Sequence, residues 1–390
     1  MIEKFRRVRI DSDLYELEID GGKFTRVEFD RGDRTPEIGE GEWDAAGLLY
    51  MPTLADMHCH LDKHFIGERW RSRKRIDTLP NQLHREKELL ASLSGTVEER
   101  ARILLNLMLS HGTTRIRTHV DVDPELGLKH LEAVLKVREE YRGLMDIEIV
   151  AFPQQGLLRS RSYGVMREAM QSGADLVGAV DPGGLDRGIE PCLEQVFGLA
   201  TEFNAGVDIH LHDPGHLGVY TIERMAEYAG QTGLQGRVAV SHAWGLGQIT
   251  EAESADIGHK LREQGVSVIT SVPIDRQMLN VPQLSSMGVD VRVGTDNVLD
   301  AWSPFGSGDM LERLGRLAEK CYWVEDEQLL GAYRYGTDKQ LSPKVGDSAD
   351  FVLVDAMNLE HAMASAPPRE WVIVGGKPVA GRRFEGGLNK

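Results

Sequence analysis

The feature that most constrains the fold of this chain is a long alternation of short apolar segments with amphipathic helical patterns. Eight apolar segments follow one another, and after the first gap they lie roughly 25–35 residues apart, the length of one strand–helix unit. Their C-terminal ends fall near His60, His119, Gln154, Asp181, Asp213, His242, Ser271 and Asp296. Strictly alternating strands and helices indicate a parallel sheet, and eight repeats predict an α/β fold closed into a (β/α)8 TIM barrel.

A helix-start signal supports this interpretation. Thr96 followed by Glu99 forms the Thr-x-x-Glu pattern of a capping box, and Gly112 is placed to end the same helix. The alternative architecture is a doubly wound open sheet. Such a sheet would hold the ends of its first and eighth strands apart, whereas a closed barrel makes them neighbours.

The two ends of the chain carry a different pattern, in which short β-like runs follow one another. The C-terminal part also contains Gly375-Gly376, a dipeptide typical of a hairpin turn. We therefore expect one small β-sandwich domain built from residues 1–52 and 345–390, which flanks a barrel domain of residues 53–344.

Charge and composition disfavour several kinds of partner. The chain of 390 residues carries a formal net charge of −16, which argues against nucleic acid and anionic membranes. No apolar stretch is long enough to span a bilayer, and the first residues lack a secretory signal. The cysteines are too few for a disulfide framework, so we expect a cytoplasmic protein. The basic run at residues 69–75 is interpreted as a solvated loop or a subunit contact rather than a phosphate site.

A candidate metal site begins with His58-Cys59-His60 at the end of the first apolar segment. Strand side chains alternate between faces, so both imidazoles point one way and Cys59 points the other. His210 and Asp296 end two further segments, and the C-terminal strand ends of a barrel meet at one face. Imidazole and carboxylate ligands bind Zn2+ or Fe2+ and leave a position for water, whose pKa the metal lowers to roughly 7. We expect these three histidines and this aspartate to hold one divalent ion.

Several motifs resemble those of the amidohydrolase superfamily, and in particular its cytosine deaminase-like branch. They are Met57-His58-Cys59-His60-Leu61-Asp62-Lys63, Asp208-Ile209-His210, Ser241-His242, Gly294-Thr295-Asp296-Asn297 and Ala301-Trp302-Ser303-Pro304-Phe305-Gly306. The resemblance implies a metal-bearing barrel with a terminal β-sandwich, and it assigns metal binding to His58, His60, His210 and Asp296. Two-metal relatives carry a lysine at the end of strand four. Residues 177–182 contain none, so a single ion is expected.

The resemblance also implies roles around the metal. His242 matches a histidine that orients the hydrolytic water, and Asp296 is expected to receive the proton of this water. Gln154 matches a glutamine that hydrogen-bonds the pyrimidine edge, and Trp302 matches an aromatic residue at the substrate pocket. Asn297, which follows the metal-binding aspartate, is assigned to substrate binding. The structural alternatives are that Gln154 caps a strand end and that Trp302 is part of the core at the barrel rim.

One position departs from the cytosine deaminase-like pattern. Those enzymes carry a glutamate three residues after the strand-five histidine, where this chain has Asp213. His212 lies on the same predicted strand face as His210, so both Asp213 and His212 are candidates for proton transfer. The His-x-His-Asp pattern and Lys63 also resemble the N-isopropylammelide isopropylaminohydrolase branch, which removes an alkylamine from an s-triazine ring. Lys63 would there stabilise negative charge, and the alternative is a salt bridge with Asp62 or a loop carboxylate.

The leading hypothesis is a metal-dependent deaminase that displaces an exocyclic amine from a planar nitrogen heterocycle, a pyrimidine or an s-triazine. The alternatives are release of an N-alkylamine from an s-triazine, hydrolysis of a cyclic amide, and a catalytically silent binding protein. The implied cofactor is one Zn2+ or Fe2+ ion, and the implied partner is a small heterocyclic substrate. The resemblance also makes a homo-oligomer an expectation, since assemblies are common in the family.

Overall fold

The fold is given by a computed structural model that describes residues 3–30, 38–74 and 78–384. The strands within these ranges are β1 (Glu3–Ile10), β2 (Asp13–Asp20), β3 (Lys23–Phe29), β4 (Glu42–Asp44), β5 (Leu49–Pro52), β6 (Leu54–Cys59), β7 (Thr113–Asp121), β8 (Asp146–Phe152), β9 (Leu176–Val180), β10 (Gly206–His210), β11 (Val238–Ser241), β12 (Val266–Thr270), β13 (Val291–Val293), β14 (Phe351–Val354), β15 (Arg369–Val374) and β16 (Lys377–Ala380).

The helices of the same ranges are α1 (Leu79–Ala91), α2 (Val97–Ser110), α3 (Lys129–Glu140), α4 (Tyr163–Gln171), α5 (Ile189–Glu202), α6 (Gly215–Thr232), α7 (Glu251–Glu263), α8 (Val281–Ser286), α9 (Met310–Cys321), α10 (Asp326–Tyr333) and α11 (Leu359–Ser365). None of these helices is long and apolar enough to cross a bilayer.

Strands β6 to β13 form one parallel sheet in which each strand pairs with its neighbours in the sequence. The sheet closes because Cys59 in β6 bridges Asp296 just after β13, and the backbone N–H of Asp296 donates to the carbonyl oxygen of His58 at 2.7 Å. Gly294 permits this approach, since a Cβ at that position would lie 2.5 Å from the Cβ of His58. The predicted barrel is confirmed, and the doubly wound alternative is wrong.

The helix between β6 and β7 begins as its sequence predicts. Helix α2 follows a capping box in which the side chains of Thr96 and Glu99 each accept a hydrogen bond from the backbone N–H of the other. It ends two residues before Gly112, which adopts a left-handed backbone at φ +82°. A further helix, α1, precedes α2 in the same connection, and its buried side chains are Leu83 and Glu86.

The terminal strands form a separate sheet in the order β16-β15-β14-β5-β1-β2-β3, with β4 paired to β1. Both ends of the chain contribute because β5 pairs antiparallel with β14. The core of this sheet is aromatic, with the ring centroid of Phe351 5.3 Å from that of Phe5 and 5.4 Å from that of Tyr50. The β-sandwich expected at the termini is therefore present. Its boundaries at residues 52 and 345 stay a prediction, and residues 1–2 and 385–390 lie outside the described ranges.

The basic run before α1 is engaged in local contacts. Arg71 donates hydrogen bonds to the hydroxyl and the carbonyl oxygen of Ser92 at 2.8 and 3.0 Å. The guanidinium of Arg73 lies 4.9 Å from the ring centroid of Phe65. These contacts join the start of the connection to the residue just after α1, while Arg75 lies outside the described ranges.

Candidate active site

Four imidazoles and one carboxylate converge at the C-terminal end of the barrel. His58 lies in β6, and His60 directly follows this strand. His210 ends β10, His242 directly follows β11, and Asp296 lies three residues after the end of β13. One ring nitrogen from each of His58, His60 and His210 lies within 4.8 Å of the others. One ring nitrogen each of His58 and His242 and a carboxylate oxygen of Asp296 also lie within 4.8 Å of one another. The Oδ1 atom of Asp296 lies 3.6 Å from Nε2 of His58 and 3.5 Å from Nε2 of His60. The structure thus brings together the four residues that the sequence assigned to a metal.

Two residues of this cluster have a left-handed backbone. The φ angles are +57° for Asp296 and +71° for His242, and such conformations cost on the order of 1–3 kcal/mol in residues other than glycine. Short backbone hydrogen bonds hold both of them. The N–H of Asp296 donates to His58 and the N–H of His242 donates to Ile269, each at 2.7 Å. Strain of this kind concentrates at functional sites.

The donor set fits a divalent metal ion. Nδ1 of His58 lies 2.8 Å from Oγ of Ser241, and Nδ1 of His60 lies 3.0 Å from the carbonyl oxygen of His119, which leaves Nε2 of both rings for the cluster. Among the residues described, Nε2 of His58 and both ring nitrogens of His210 are buried without a hydrogen-bond partner. A buried unsatisfied polar atom costs about 1–3 kcal/mol, and a bound cation removes that cost for each ring nitrogen that coordinates it. Imidazole and carboxylate ligands suit both Zn2+ and Fe2+.

The protonation states also suit metal binding. Burial lowers the pKa of His58 and of His210, and the neighbouring histidines lower it further. Burial likewise lowers the pKa of His242 to about 3. Burial alone would raise the pKa of Asp296, but His242 and the other imidazoles outweigh it and hold this pKa below its usual range. Neutral imidazoles around an ionised carboxylate are the forms that bind a metal.

A chain of buried hydrogen bonds fixes the tautomer of His58. Oγ of Ser241 donates its single proton to Oδ1 of Asp208 at 2.6 Å, so the same oxygen accepts the Nδ1–H of His58. The lone pair of Nε2 then points to the cluster. Asp208 is itself paired with Arg117 at 2.9 Å. A partner of this kind orients a ligand histidine and strengthens metal binding, yet the sequence analysis gave Asp208 and Ser241 no role.

The two candidates for proton transfer occupy different surroundings. The ring of His212 stacks on His242 with centroids 4.5 Å apart, and its Nδ1 lies 3.0 Å from Oδ2 of Asp181. Burial lowers the pKa of His212, but the Asp181 carboxylate outweighs it and the net shift is upward. Asp213 instead accepts hydrogen bonds from the backbone N–H groups of residues 183–184 at 3.1 and 3.0 Å. Its carboxylate therefore stabilises the loop after β9.

A second network of polar side chains lies beside the histidine cluster. Lys63, Gln154 and Glu86 are buried in it, whereas Trp302 is 40% exposed and is not part of the core. Nζ of Lys63 lies 2.7 Å from Oδ1 of Asp121 and donates a hydrogen bond to Oε1 of Gln154. Nε2 of Gln154 donates to one carboxylate oxygen of Glu86, and Nε1 of Trp302 donates to the other at 2.8 Å. The two residues that the resemblance assigned to the substrate pocket thus meet at Glu86, which the sequence analysis did not single out.

Phe152 joins this network to the metal-binding cluster. Its ring stacks on His210 with centroids 4.0 Å apart and an interplanar angle of 16°. Nζ of Lys63 lies 4.9 Å from the centroid of the same ring. Burial opposes the charge of Lys63, but the carboxylates of Asp121 and Glu86 outweigh it and raise its pKa. A permanent cation therefore lies one aromatic ring away from the candidate metal ligands.

Two further assignments from the sequence have defined partners. Asp62, the alternative partner of Lys63, pairs instead with His130 at 2.8 Å. The amide of Asn297 donates to Oδ2 of Asp300 at 2.8 Å, and this contact ties it to the loop after β13. Lys63 therefore forms its salt bridge with a strand residue, and the side chain of Asn297 contributes to loop structure.

Comparison with known proteins places the chain in a family. The chain belongs to the amidohydrolase family, whose model matches residues 41–380. It is 32% identical over 386 residues to N-isopropylammelide isopropyl amidohydrolase of Pseudomonas sp. (strain ADP), with 93% of each protein covered. The crystal structure of N-isopropylammelide isopropylaminohydrolase from Burkholderia multivorans matches with a TM-score of 0.90 and 34% identity, and 98% of both chains is covered. 5-Methylcytosine deaminase from Klebsiella pneumoniae, liganded with 5-fluorocytosine, matches with a TM-score of 0.84 and 26% identity over 98% of both chains.

The fold, the site and the family together define a hydrolase that acts on C–N bonds. The resemblance to the amidohydrolase superfamily is confirmed, and so is the expectation of an enzyme. The buried histidine–carboxylate cluster agrees with the divalent-metal dependence that is general in this family.

Proposed function

We propose that this enzyme displaces an exocyclic amine from a planar nitrogen heterocycle, a pyrimidine or an s-triazine, in a metal-dependent hydrolysis. One observation carries the proposal: the histidine–carboxylate cluster and the network around Gln154 share the ring of Phe152. The cluster suits hydrolysis, and the network offers polar and aromatic groups to a flat ring. The similarity to an isopropylaminohydrolase and to 5-methylcytosine deaminase supports this reaction class.

In this proposal His58, His60, His210 and Asp296 hold one ion, Zn2+ or Fe2+. Such an ion, when bound, acts as a Lewis acid and brings the pKa of a water molecule to roughly 7. The carboxylate of Asp296 accepts the proton of the attacking water, because it is ionised and lies among the ligand atoms.

His242 hydrogen-bonds the oxygen on which negative charge develops. Its Nδ1 lies 3.5 Å from the hydroxyl of Ser271, whereas its Nε2 has no partner among the residues that the structure describes. The low pKa of this buried ring keeps it neutral, so Nε2–H is available as a donor. A fixed donor in a buried site stabilises developing charge more effectively than water does.

His212 delivers the proton to the leaving amine. Asp181 engages its Nδ1, so Nε2 is free for the transfer, and its ring stacks directly on His242. A raised pKa keeps this histidine partly protonated near neutral pH, as a general acid requires. The role of Asp213 is to position the loop after β9 through its two backbone hydrogen bonds.

A second candidate function differs only in the leaving group, which would be an N-alkylamine on an s-triazine ring. The relative with that activity in its name covers 98% of both chains at 34% identity, which favours this candidate. Lys63 supports it through its permanent charge, which would stabilise negative charge on the substrate.

The test measures amine release from cytosine, isocytosine, an aminotriazine and an N-alkylaminotriazine by enzyme with and without metal. We expect ammonia or alkylamine from at least one compound, and only from the metal-loaded enzyme. Full activity after metal removal would contradict the proposal. A new carboxylate without released amine would instead indicate that a cyclic amide is opened.

A further inference from the structure

Helix α1 holds a buried carboxylate beside Gln154 and Trp302. Leu83 on its buried face belongs to the same apolar cluster as Phe152, and Gln82 donates to the carbonyl oxygen of Ala301 at 3.0 Å. One turn after Leu83, the side chain of Glu86 is directed inward, and the residue is only 1% exposed. Carboxylates are almost never buried to this degree unless they are paired.

The neighbours of Glu86 fix the direction of the hydrogen bonds in this network. The ammonium group of Lys63 can only donate hydrogen bonds, and an ionised carboxylate can only accept them. Gln154 lies between the two groups, with its carbonyl oxygen toward Lys63 and its NH2 toward Glu86. Reversing the amide would set donor against donor at one end and acceptor against acceptor at the other.

Glu86 retains hydrogen-bonding capacity beyond these contacts. One of its oxygens accepts from Trp302 and the other from Gln154, whereas a carboxylate offers about four acceptor positions. A ring that contacts both Gln154 and Trp302 would lie next to an unused acceptor. A ring without a donor at this point would bury that acceptor unpaired, which is costly.

We infer that Glu86 is a specificity-determining residue that accepts a hydrogen bond from the substrate ring, an inference that rests on the proposed function. The substrate class is a planar heterocycle with two features besides the leaving amine. It carries an N–H or amino donor that faces Glu86, and next to this donor a ring acceptor on the side of Lys63. Lactam-bearing aminopyrimidines and keto forms of amino-s-triazines have this pattern. Rings alkylated at the donor nitrogen lack it.

The test uses a lactam-bearing heterocycle and its ring-N-methyl analogue, which lacks the donor. kcat/KM is measured for wild type, Glu86→Gln and the control Glu88→Gln, whose side chain lies on the same helix and is 53% exposed. Burial raises the pKa of Glu86 to about 7, against the opposing charge of Lys63. The assay is therefore run at about pH 8, where the carboxylate is mostly ionised.

We expect Glu86→Gln to lower kcat/KM for the N–H substrate by about 10- to 100-fold and to change that of the methylated analogue less than about 3-fold. The steric effect of the methyl group cancels in this comparison, because wild type and variant are measured with the same methylated analogue. Glu88→Gln should behave as wild type. Equal losses on both substrates would overturn the inference, since they indicate a structural role, and so would unchanged values on both.

Two further measurements distinguish a failure of this inference from misfolding, from loss of metal and from a failure of the proposed function. Glu86→Asp keeps the charge and should keep a preference for the N–H substrate, and metal content and Tm are compared for every variant. Amine release by wild type reports on the proposed function alone. If no heterocycle releases amine, thermal-shift binding of the same two compounds to wild type and Glu86→Gln still decides whether Glu86 recognises the donor.

Discussion

The candidate active site consists of two groups of side chains that are built in different ways, called here the metal wall and the ring wall. The metal wall consists of side chains in barrel strands or within three residues after them: His58, His60, His210, His242 and Asp296. The ring wall consists of Lys63, Gln154, Glu86 and Trp302, which lie in α1 and in loops that follow β6, β8 and β13. Backbone bridges and strand residues orient the metal wall. Side chain to side chain contacts hold the ring wall together.

This difference separates the type of reaction from the choice of substrate. Strand ends of a closed barrel are rigid and hold ligand geometry, whereas loops and added helices vary without disturbing the core. Changes in the metal wall should therefore affect metal binding and rate together. Changes in the ring wall should affect KM and substrate preference while the metal stays bound.

The largest effect should come from removing a metal ligand. His58→Ala or Asp296→Ala should lower kcat/KM by at least about 10³-fold, because the hydrolytic centre loses its charge and its geometry. Metal content measured on the purified variants should fall with activity. His84→Ala is the control, since this side chain is 77% exposed on α1. Substantial activity in either ligand variant would end the distinction between the walls.

The second-largest effect should come from His212, and it is best measured against its neighbour Asp213. His212→Ala should lower kcat by about 10²- to 10³-fold, the usual contribution of a general acid. Asp213→Asn should cost less than about 10-fold, because the amide oxygen still accepts a backbone hydrogen bond. Steady-state kinetics of both variants with the same substrate decide the matter. A larger loss in Asp213→Asn would exchange the roles proposed for the two residues.

The metal wall was largely predictable because the alternation of side chains along a strand can be read from the spacing of residues in the sequence. Alternating faces put His58 and His60 together, and parallel strand ends bring His210 and Asp296 to the same rim. The same alternation predicts His212 beside His210. Strand β10 ends at His210, so His212 lies just beyond the strand, with its ring centroid 6.0 Å from that of His210. Asp208 lies two residues before a ligand and on the same strand face, so its position next to the metal site could also have been predicted from the strand period.

The ring wall was predictable only in part. The resemblance indicated Gln154 and Trp302, but no local pattern connects either residue to a helix more than 60 residues away. The spacing of Leu83 and Glu86 is compatible with one buried helix face, yet a glutamate there ordinarily indicates a solvated helix. Its partners depend on how α1 docks on the barrel, and docking is set by tertiary contacts such as that of Gln82 with Ala301.

A smaller effect should appear when the support of the metal wall is weakened. Ser241→Ala removes the acceptor for Nδ1–H of His58 and should lower metal affinity by about 10- to 100-fold, the usual result for a residue that orients a ligand. Competition with a chelator measures this affinity. Ser267→Ala on the adjacent strand β12 is the control, because its hydroxyl donates a long hydrogen bond to the carbonyl oxygen of Val238, at 3.4 Å. Unchanged metal affinity in Ser241→Ala would show that backbone geometry alone orients His58.

The smallest effect should come from Trp302→Phe, which keeps an aromatic ring and removes the hydrogen bond to Glu86. Loss of one hydrogen bond of this strength should raise KM about 5-fold and change kcat less than about 2-fold, with metal content unchanged. Trp323→Phe is the matched control, since Trp323 stacks on Tyr335 with ring centroids 5.9 Å apart. If Trp302→Phe lowered kcat and metal content together, the two walls would be energetically coupled, and substrate choice would not be separable from the chemistry at the strand ends.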